Sequence, residues 1–157
     1  MLKSKKIKTF LWLDGQAEQA AKFYTSIFRN GKIGAIARYP EGSPGPAGSV
    51  MTVEFELDGH PFVGLNGGPQ FKFNESVSFA IECDTQEEID HYWDKLLAGG
   101  GKPQQCGWLK DRYGLSWQVV PAGIGELFSN PRTAQRAMQA MLKMVKFDIA
   151  KLKEAAK

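Results

Sequence analysis

Hydrophobic and polar positions alternate along VMTVEFELDG (50–59). Met51, Val53, Phe55 and Leu57 share one face of a strand, and Thr52, Glu54 and Glu56 share the other. The Asp58-Gly59 pair is a hairpin signal and predicts a partner strand over 60–66. Upstream, a strand over 7–13 ends at Asp14, a suitable helix cap, with Glu18 in the first helical turn. Ala20, Phe23, Tyr24, Ile27 and Phe28 then recur at helical spacing and give that helix one apolar face. Asn30-Gly31 closes it, and a further strand is expected over 33–39. PEGSPGPAGS (40–49) is dense in Pro, Gly and Ser and reads as a long loop of the kind found at binding mouths.

GGPQFKFNE (67–75) leads to a strand over 76–83, and there the pattern returns with a shift of 70 residues. Asp84 stands where Asp14 stood, Gln86 matches Gln16, Glu88 matches Glu18, and Trp93 falls at the position of Phe23. The second helix ends in LLAGGG, and strands follow near 103–109 and 115–120, joined by DRYG where Asp58-Gly59 joined the first pair. The chain therefore contains two strand–helix–strands units, and such internal repeats determine architecture. We read a single domain over 1–157, with one module at 5–68, a second at 75–122 and a tail at 123–157. The tail is expected to be one helix over 131–155, with Pro131 in its first turn. Met138, Leu142, Val145, Ile149 and Leu152 form a narrow apolar seam along it, which either packs on its own domain or meets a second copy.

Composition adds exclusions. The chain has 157 residues, 43% hydrophobic and 24% charged, enough to bury a core without disulfide or metal. Twenty Lys and Arg against 17 Asp and Glu leave a formal charge of +3, which is no nucleic-acid signature. The cluster Lys3, Lys5, Lys6 and Lys8 reads as a solvated tip. Cys83 and Cys106 lack metal spacing and read as free thiols of a reducing compartment. No apolar run approaches membrane-spanning length and no signal peptide is recognisable, so a cytoplasmic protein is expected, with neither membrane nor nucleic acid as partner.

Four stretches carry a resemblance: FLWLDGQAEQAAKFY (10–24), GPAGSVMTVEFELDG (45–59), FVGLNGGPQFKFNESVSF (62–79) and CGWLKDRYGLSWQVVP (106–121). With the paired βαβββ order, they resemble the vicinal oxygen chelate superfamily, which includes glyoxalase I, extradiol dioxygenases and antibiotic-resistance proteins. They look closest to its PhnB-like branch, often labelled 3-demethylubiquinone-9 3-methyltransferase. The resemblance implies an α+β fold in which paired βαβββ modules form a curled mixed sheet around a cavity, plus a C-terminal helix. It also implies a homodimer and a small-molecule ligand. Methyl transfer is not carried over, because DGQAE, rather than a Gly-rich loop, follows the first strand.

Metal-dependent members of the superfamily hold a divalent ion on His and Glu from these strands. Carried onto this chain, the Glu after the DxxG turn falls on Gln118, one His falls near Ser76 and another near Thr9. Such a set offers a transition metal little affinity, so no cofactor is expected. His60 and His91 read as ordinary histidines. The expected ligand-binding residues are Trp12, Asn66, Phe71, Phe73, Ser78, Trp108 and Gln118, an apolar lining with a few polar groups. Phe71 and Phe73 are aromatic residues in a loop, either pinned into a core or left to meet a ligand. The alternative is a metal-dependent lyase, isomerase or dioxygenase using Glu54, Glu56 or His60 as ligands. A third reading is a metal-free enzyme with Glu54 or Glu56 as base.

Overall fold

The computed structural model describes residues 5–157, so Lys3 of the basic cluster lies outside the described residues. The chain divides after Lys72 into two compact units. In the first, β1 (Thr9–Leu13), α1 (Ala17–Ile27), β2 (Lys32–Arg38), β3 (Val50–Leu57) and β4 (His60–Asn66) follow one another. The strands form an open mixed sheet of order β1-β4-β3-β2, with β1 parallel to β4 and the other pairs antiparallel. In the second unit, β5 (Ser78–Cys83), α2 (Gln86–Leu97), β6 (Lys102–Pro103), β7 (Trp108–Lys110) and β8 (Ser116–Pro121) repeat that arrangement as β5-β8-β7-β6. The internal repeat read from cap spacing is thus a repeat of topology. The strands make two four-stranded sheets, neither of them closed.

Alternation decides what each sheet buries. Leu11, Leu13, Val53, Phe55, Leu57 and Phe62 are buried on the face carrying α1, against Ala17, Ala20, Ala21, Tyr24 and Ile27. Tyr24 stacks on Phe55 at 5.9 Å between ring centroids, and Phe55 on Phe62 at 5.2 Å. Fully burying each such side chain contributes about 1.5–3 kcal/mol. In the second unit Cys83, Leu109, Trp117 and Val119 are buried, as are Ile89, Trp93 and Leu96 of α2. Opposite these packed faces, the first sheet presents Thr52, Glu54 and Glu56 and the second Ser78, Glu82 and Gln118, none of them buried, together with the buried Ser116.

Both expected helix caps are corrected. Asp14 does not cap α1. Gln16 holds the cap position without a side-chain bond, and Asn66 Oδ1 at the end of β4 accepts from the Ala17 N–H at 2.9 Å. The bond comes from the neighbouring strand, where Asn66 is the register partner of Leu13 at the end of β1. α2 is capped by Thr85, not Asp84: Thr85 Oγ1 accepts from the Glu88 N–H at 3.2 Å, and Glu88 Oε2 accepts from the Asp84 N–H at 2.7 Å. This resembles a capping box, with Glu88 reaching back to the N–H of the residue before the cap rather than of the cap itself.

The expected single tail helix is also corrected. It is three pieces: α3 (Glu126–Ser129), α4 (Pro131–Met141) and α5 (Ile149–Ala155). Pro131 opens α4 as expected, and Asn130 caps it. The helix breaks over 142–148 because that backbone pairs elsewhere. Cys106 N–H donates to Met144 O at 2.9 Å and Gly107 N–H to Val145 O at 2.8 Å. Phe147 is buried, and Asp148 restarts the helix by accepting from the Lys151 N–H. The proposed seam is therefore split, with Leu152 buried and Met138, Leu142 and Val145 exposed. Among the described residues no helix is long and apolar enough to cross a membrane.

Candidate functional site

The last hairpin is organised by Asp111, a buried carboxylate in the DRYG turn. Its Oδ1 accepts from the backbone N–H of Tyr113 at 2.8 Å and of Leu115 at 3.1 Å, and its Oδ2 accepts from the indole N–H of Trp117 at 2.9 Å. Trp117 is thereby fixed in the core side of the sheet. Period-two alternation then turns its neighbours Ser116 and Gln118 to the opposite face.

On that face the register sets two rows. Ala80, Gln118 and Trp108 lie side by side, as do Ser78, Ser116 and Lys110. Gln118 Nε2 donates to Ser78 Oγ at 2.9 Å. The bond leaves Gln118 Oε1 to accept and the Ser78 hydroxyl to donate, with the half-buried Trp108 ring beside them. Three of the residues expected to bind a ligand are thus brought together on one sheet face. Ser116 Oγ is fully buried and has no hydrogen-bond partner among the described residues.

The connecting segment reaches the same rows. Glu75 Oε1 pairs with Lys110 Nζ at 2.5 Å and accepts from Gln104 Nε2 at 3.3 Å. The hydrogen-bonded Lys110 ammonium is the main reason that the Glu75 carboxyl is held below its usual range. Ser76, the expected place of a metal-binding His, precedes β5, and both its N–H and its hydroxyl donate to Asn74 Oδ1. Phe73 is half-buried in this second unit.

Trp12, Asn66 and Phe71 belong to the first unit. The Trp12 indole N–H donates to Gly68 O at 2.8 Å, and its ring lies where a side chain at position 67 would be, so only Gly fits there. Phe71 is exposed and meets Trp12 edge-on at 4.8 Å. Asn66 spends its amide on structure, since Nδ2 donates to Val50 O at 3.0 Å while Oδ1 holds the start of α1.

The alternative metal ligands stand apart. Glu54 pairs with Lys8 at 3.2 Å, on the sheet face opposite α1 together with Glu56. His60 lies in register with Leu57, on the α1 side, where it bonds Thr9 Oγ1 at 2.9 Å and contacts the Phe62 ring. His91 meets Tyr92 on α2. Among the described residues no group of three or more His, Cys, Asp and Glu is placed to hold a metal ion. Elsewhere in the second unit an open groove of about 670 Å³ runs between the start of α2 and 146–153, lined by Gln86, Asp90, Lys146 and Asp148 among others. None of the sequence-predicted site residues lines it.

Sequence reasoning missed Lys110, Ser116 and Glu75. Lys110 was within reach, because it lies two residues from Trp108 on a strand and so shares its face. Ser116 follows likewise from Gln118. The approach of Glu75 depends on the course of a connecting segment, which no local pattern gives.

The family model described as 3-demethylubiquinone-9 3-methyltransferase matches residues 5–120, so α3, α4 and α5 lie beyond the match. No curated protein matches the chain. Among solved structures, a PhnB protein from Bacillus cereus is 38% identical, with a TM-score of 0.68 over 75% of this chain and 100% of that one. Protein PA1353 from Pseudomonas aeruginosa is 21% identical, with a TM-score of 0.59 over 75% and 98%. A mutant of the genomically encoded fosfomycin resistance protein FosX from Listeria monocytogenes, complexed with Mn(II) and 1S,2S-dihydroxypropylphosphonic acid, is 18% identical, with a TM-score of 0.53 over 79% and 98%. The last two likenesses are of fold.

Proposed function

Because the chain belongs to the PhnB-like 3-demethylubiquinone-9 3-methyltransferase family, within the vicinal oxygen chelate superfamily, we propose that it binds a small organic molecule on the face of its second sheet that carries Gln118 and Ser78, without a tightly held transition metal. The observation that carries this reading is the Gln118–Ser78 pair beside Trp108. An amide and a hydroxyl that already bond each other present one acceptor and one donor in fixed positions, next to an aromatic surface. Small-molecule sites are built this way, mostly apolar with a few placed polar groups.

The donor set does not fit a divalent transition metal. Where the resemblance places the superfamily's ligands, this chain offers the hydroxyls of Thr9 and Ser76 and the amide of Gln118. Each is neutral and already hydrogen-bonded, to His60, Asn74 and Ser78 respectively. Such ligands suit neither zinc nor nickel nor manganese held in a protein cage. Methyl transfer from a nucleoside cofactor has no support either, since both sheets are mixed and no Gly-rich phosphate loop follows β1.

Thermal unfolding in the presence of Ni, Zn, Mn, Fe and Mg salts and of a panel of small metabolites, on the native chain and on Gln118→Ala, tests this. A ligand at about 100 times its Kd adds roughly 2.7 kcal/mol of stability. We expect no stabilisation by the metals, and stabilisation by at least one organic compound that is lost in Gln118→Ala. Stabilisation by a metal that disappears in Gln118→Ala would overturn the reading.

A further inference from the structure

We propose that Lys110 and Gln104 form an anion subsite at the border of this face, and that Glu75 occupies it as an internal stand-in for the carboxylate of a ligand. The inference rests on the reading that the face holding Gln118, Ser78 and Trp108 is the ligand site, and it adds the chemical class of the ligand: a small molecule bearing a carboxylate.

The register places Lys110 there. Ser78, Ser116 and Lys110 are partners across β5, β8 and β7, and directly opposed residues put their side chains on one face. Trp108 and Gln118 form the adjoining row. Lys110 is therefore the cation nearest in register to the Gln118–Ser78 pair. Its ammonium is bonded to the Glu75 carboxylate at 2.5 Å, and the amide of Gln104 supplies a second donor to the same oxygen at 3.3 Å. One carboxylate oxygen thus sits between a cationic donor and a neutral one, the arrangement that recognises a ligand carboxylate. The carboxylate that fills it comes from the segment entering β5, not from an element of the sheet.

A second observation points the same way. Ser116, in the row between Ser78 and Lys110, has a fully buried hydroxyl with no hydrogen-bond partner among the described residues. A buried unsatisfied hydroxyl is costly, and it is retained where another group completes it. A ligand oxygen or a water that enters when Glu75 leaves Lys110 would do so. Glu75 is half-exposed and tethered by a short segment, so it competes with a ligand at a high local concentration. The apparent affinity for a free carboxylate is lowered by the fraction of molecules in which Glu75 occupies Lys110.

Two probes of one shape and different charge test this: benzoate and benzamide. Each is titrated into the native chain, Glu75→Gln and Glu75→Gln/Lys110→Gln, and the Trp108 indole N–H signal is followed by NMR. Glu75 is half-exposed, so Glu75→Gln leaves the fold intact, and circular dichroism checks the double variant. We expect Glu75→Gln to bind benzoate roughly three- to tenfold more tightly than the native chain. Adding Lys110→Gln should weaken it by about tenfold or more and remove its dependence on salt. Benzamide should be indifferent to both changes. Equal benzoate affinity in all three proteins, or no movement of the Trp108 signal by benzoate in Glu75→Gln, would overturn the anion subsite. If benzamide moves Trp108 while benzoate gains nothing from Glu75→Gln, the subsite is overturned and the small-molecule reading stands. The thermal screen with Gln118→Ala decides that reading independently.

Discussion

Gln118 donates its amide N–H to the hydroxyl of Ser78 at 2.9 Å, across two parallel strands and 40 residues of sequence. The pair is only part-buried, so its contribution to stability is modest, about 0.5–1.5 kcal/mol. Ser78→Ala is therefore expected to unfold within a few degrees of the native chain while losing most of its ligand-induced stabilisation. Thermal unfolding with and without ligand checks this. A large drop in the unfolding temperature without ligand would mark the pair as structural.

Asp111 has the opposite role. It is buried, and it accepts from two backbone N–H groups and from the Trp117 indole. Asp111→Ala removes the acceptor of three hydrogen bonds, two of them buried, and losing the partner of a buried donor costs about 1–3 kcal/mol. The expected outcome is a loss of several kcal/mol in denaturant unfolding, with a changed Trp117 signal in near-ultraviolet circular dichroism. Asp111→Asn should recover part of the loss, because its side-chain oxygen still accepts.

The tail is held by a plug. Phe147 is buried, and at Gly107, whose φ is +76°, an added Cβ would lie 2.6 Å from the Phe147 ring and from Val119 O. Phe147→Ala should cost about 3–5 kcal/mol. Gly107→Ala adds backbone strain to a clash with the same ring and should release 142–157 first. Limited proteolysis reads this as early cleavage in the tail while 5–120 stays intact.

Acid should loosen the same junction. The Lys146 ammonium, and after it Gln86, hold the Asp90 carboxyl below its ordinary 3.8, and the Lys151 backbone N–H holds Asp148 below the same value. A carboxyl depressed in the folded state adds stability that is fully present above its unfolded value. That stability is lost as pH falls through the folded one. The contribution is therefore intact at neutral pH and begins to be lost below about pH 4. Asp90→Asn should unfold slightly earlier than the native chain at pH 7, with the gap narrowing as pH falls below about 4, by thermal unfolding across that range.

Much of this was readable before the structure. The alternation of 50–57 and the shift of 70 residues gave both sheets and both helices, because amphipathic period and turn chemistry are local. The helix caps were misplaced at Asp14 and Asp84, since Asn66 caps α1 from 49 residues away and Thr85 outcompetes its neighbour. The tail seam at Met138, Leu142 and Val145 looked helical throughout. Helical spacing does not reveal that Met144 and Val145 give their carbonyls to Cys106 and Gly107. At the candidate site, Gln118, Ser78 and Trp108 are legible from sequence and share a face. Asn66 is not, because its amide is engaged by Ala17 and Val50. Polar residues on strands declare their face by alternation, but their partners lie on other strands.

Native mass spectrometry of the untagged chain and of Gln118→Ala, each incubated with a cell metabolite extract, separates metal-free binding from metal binding, because one spectrum reports organic and metal adducts together. An organic adduct is expected on the native chain and absent from Gln118→Ala, with no stoichiometric transition metal on either. A stoichiometric metal adduct on the native chain that is lost in Gln118→Ala would contradict metal-free binding.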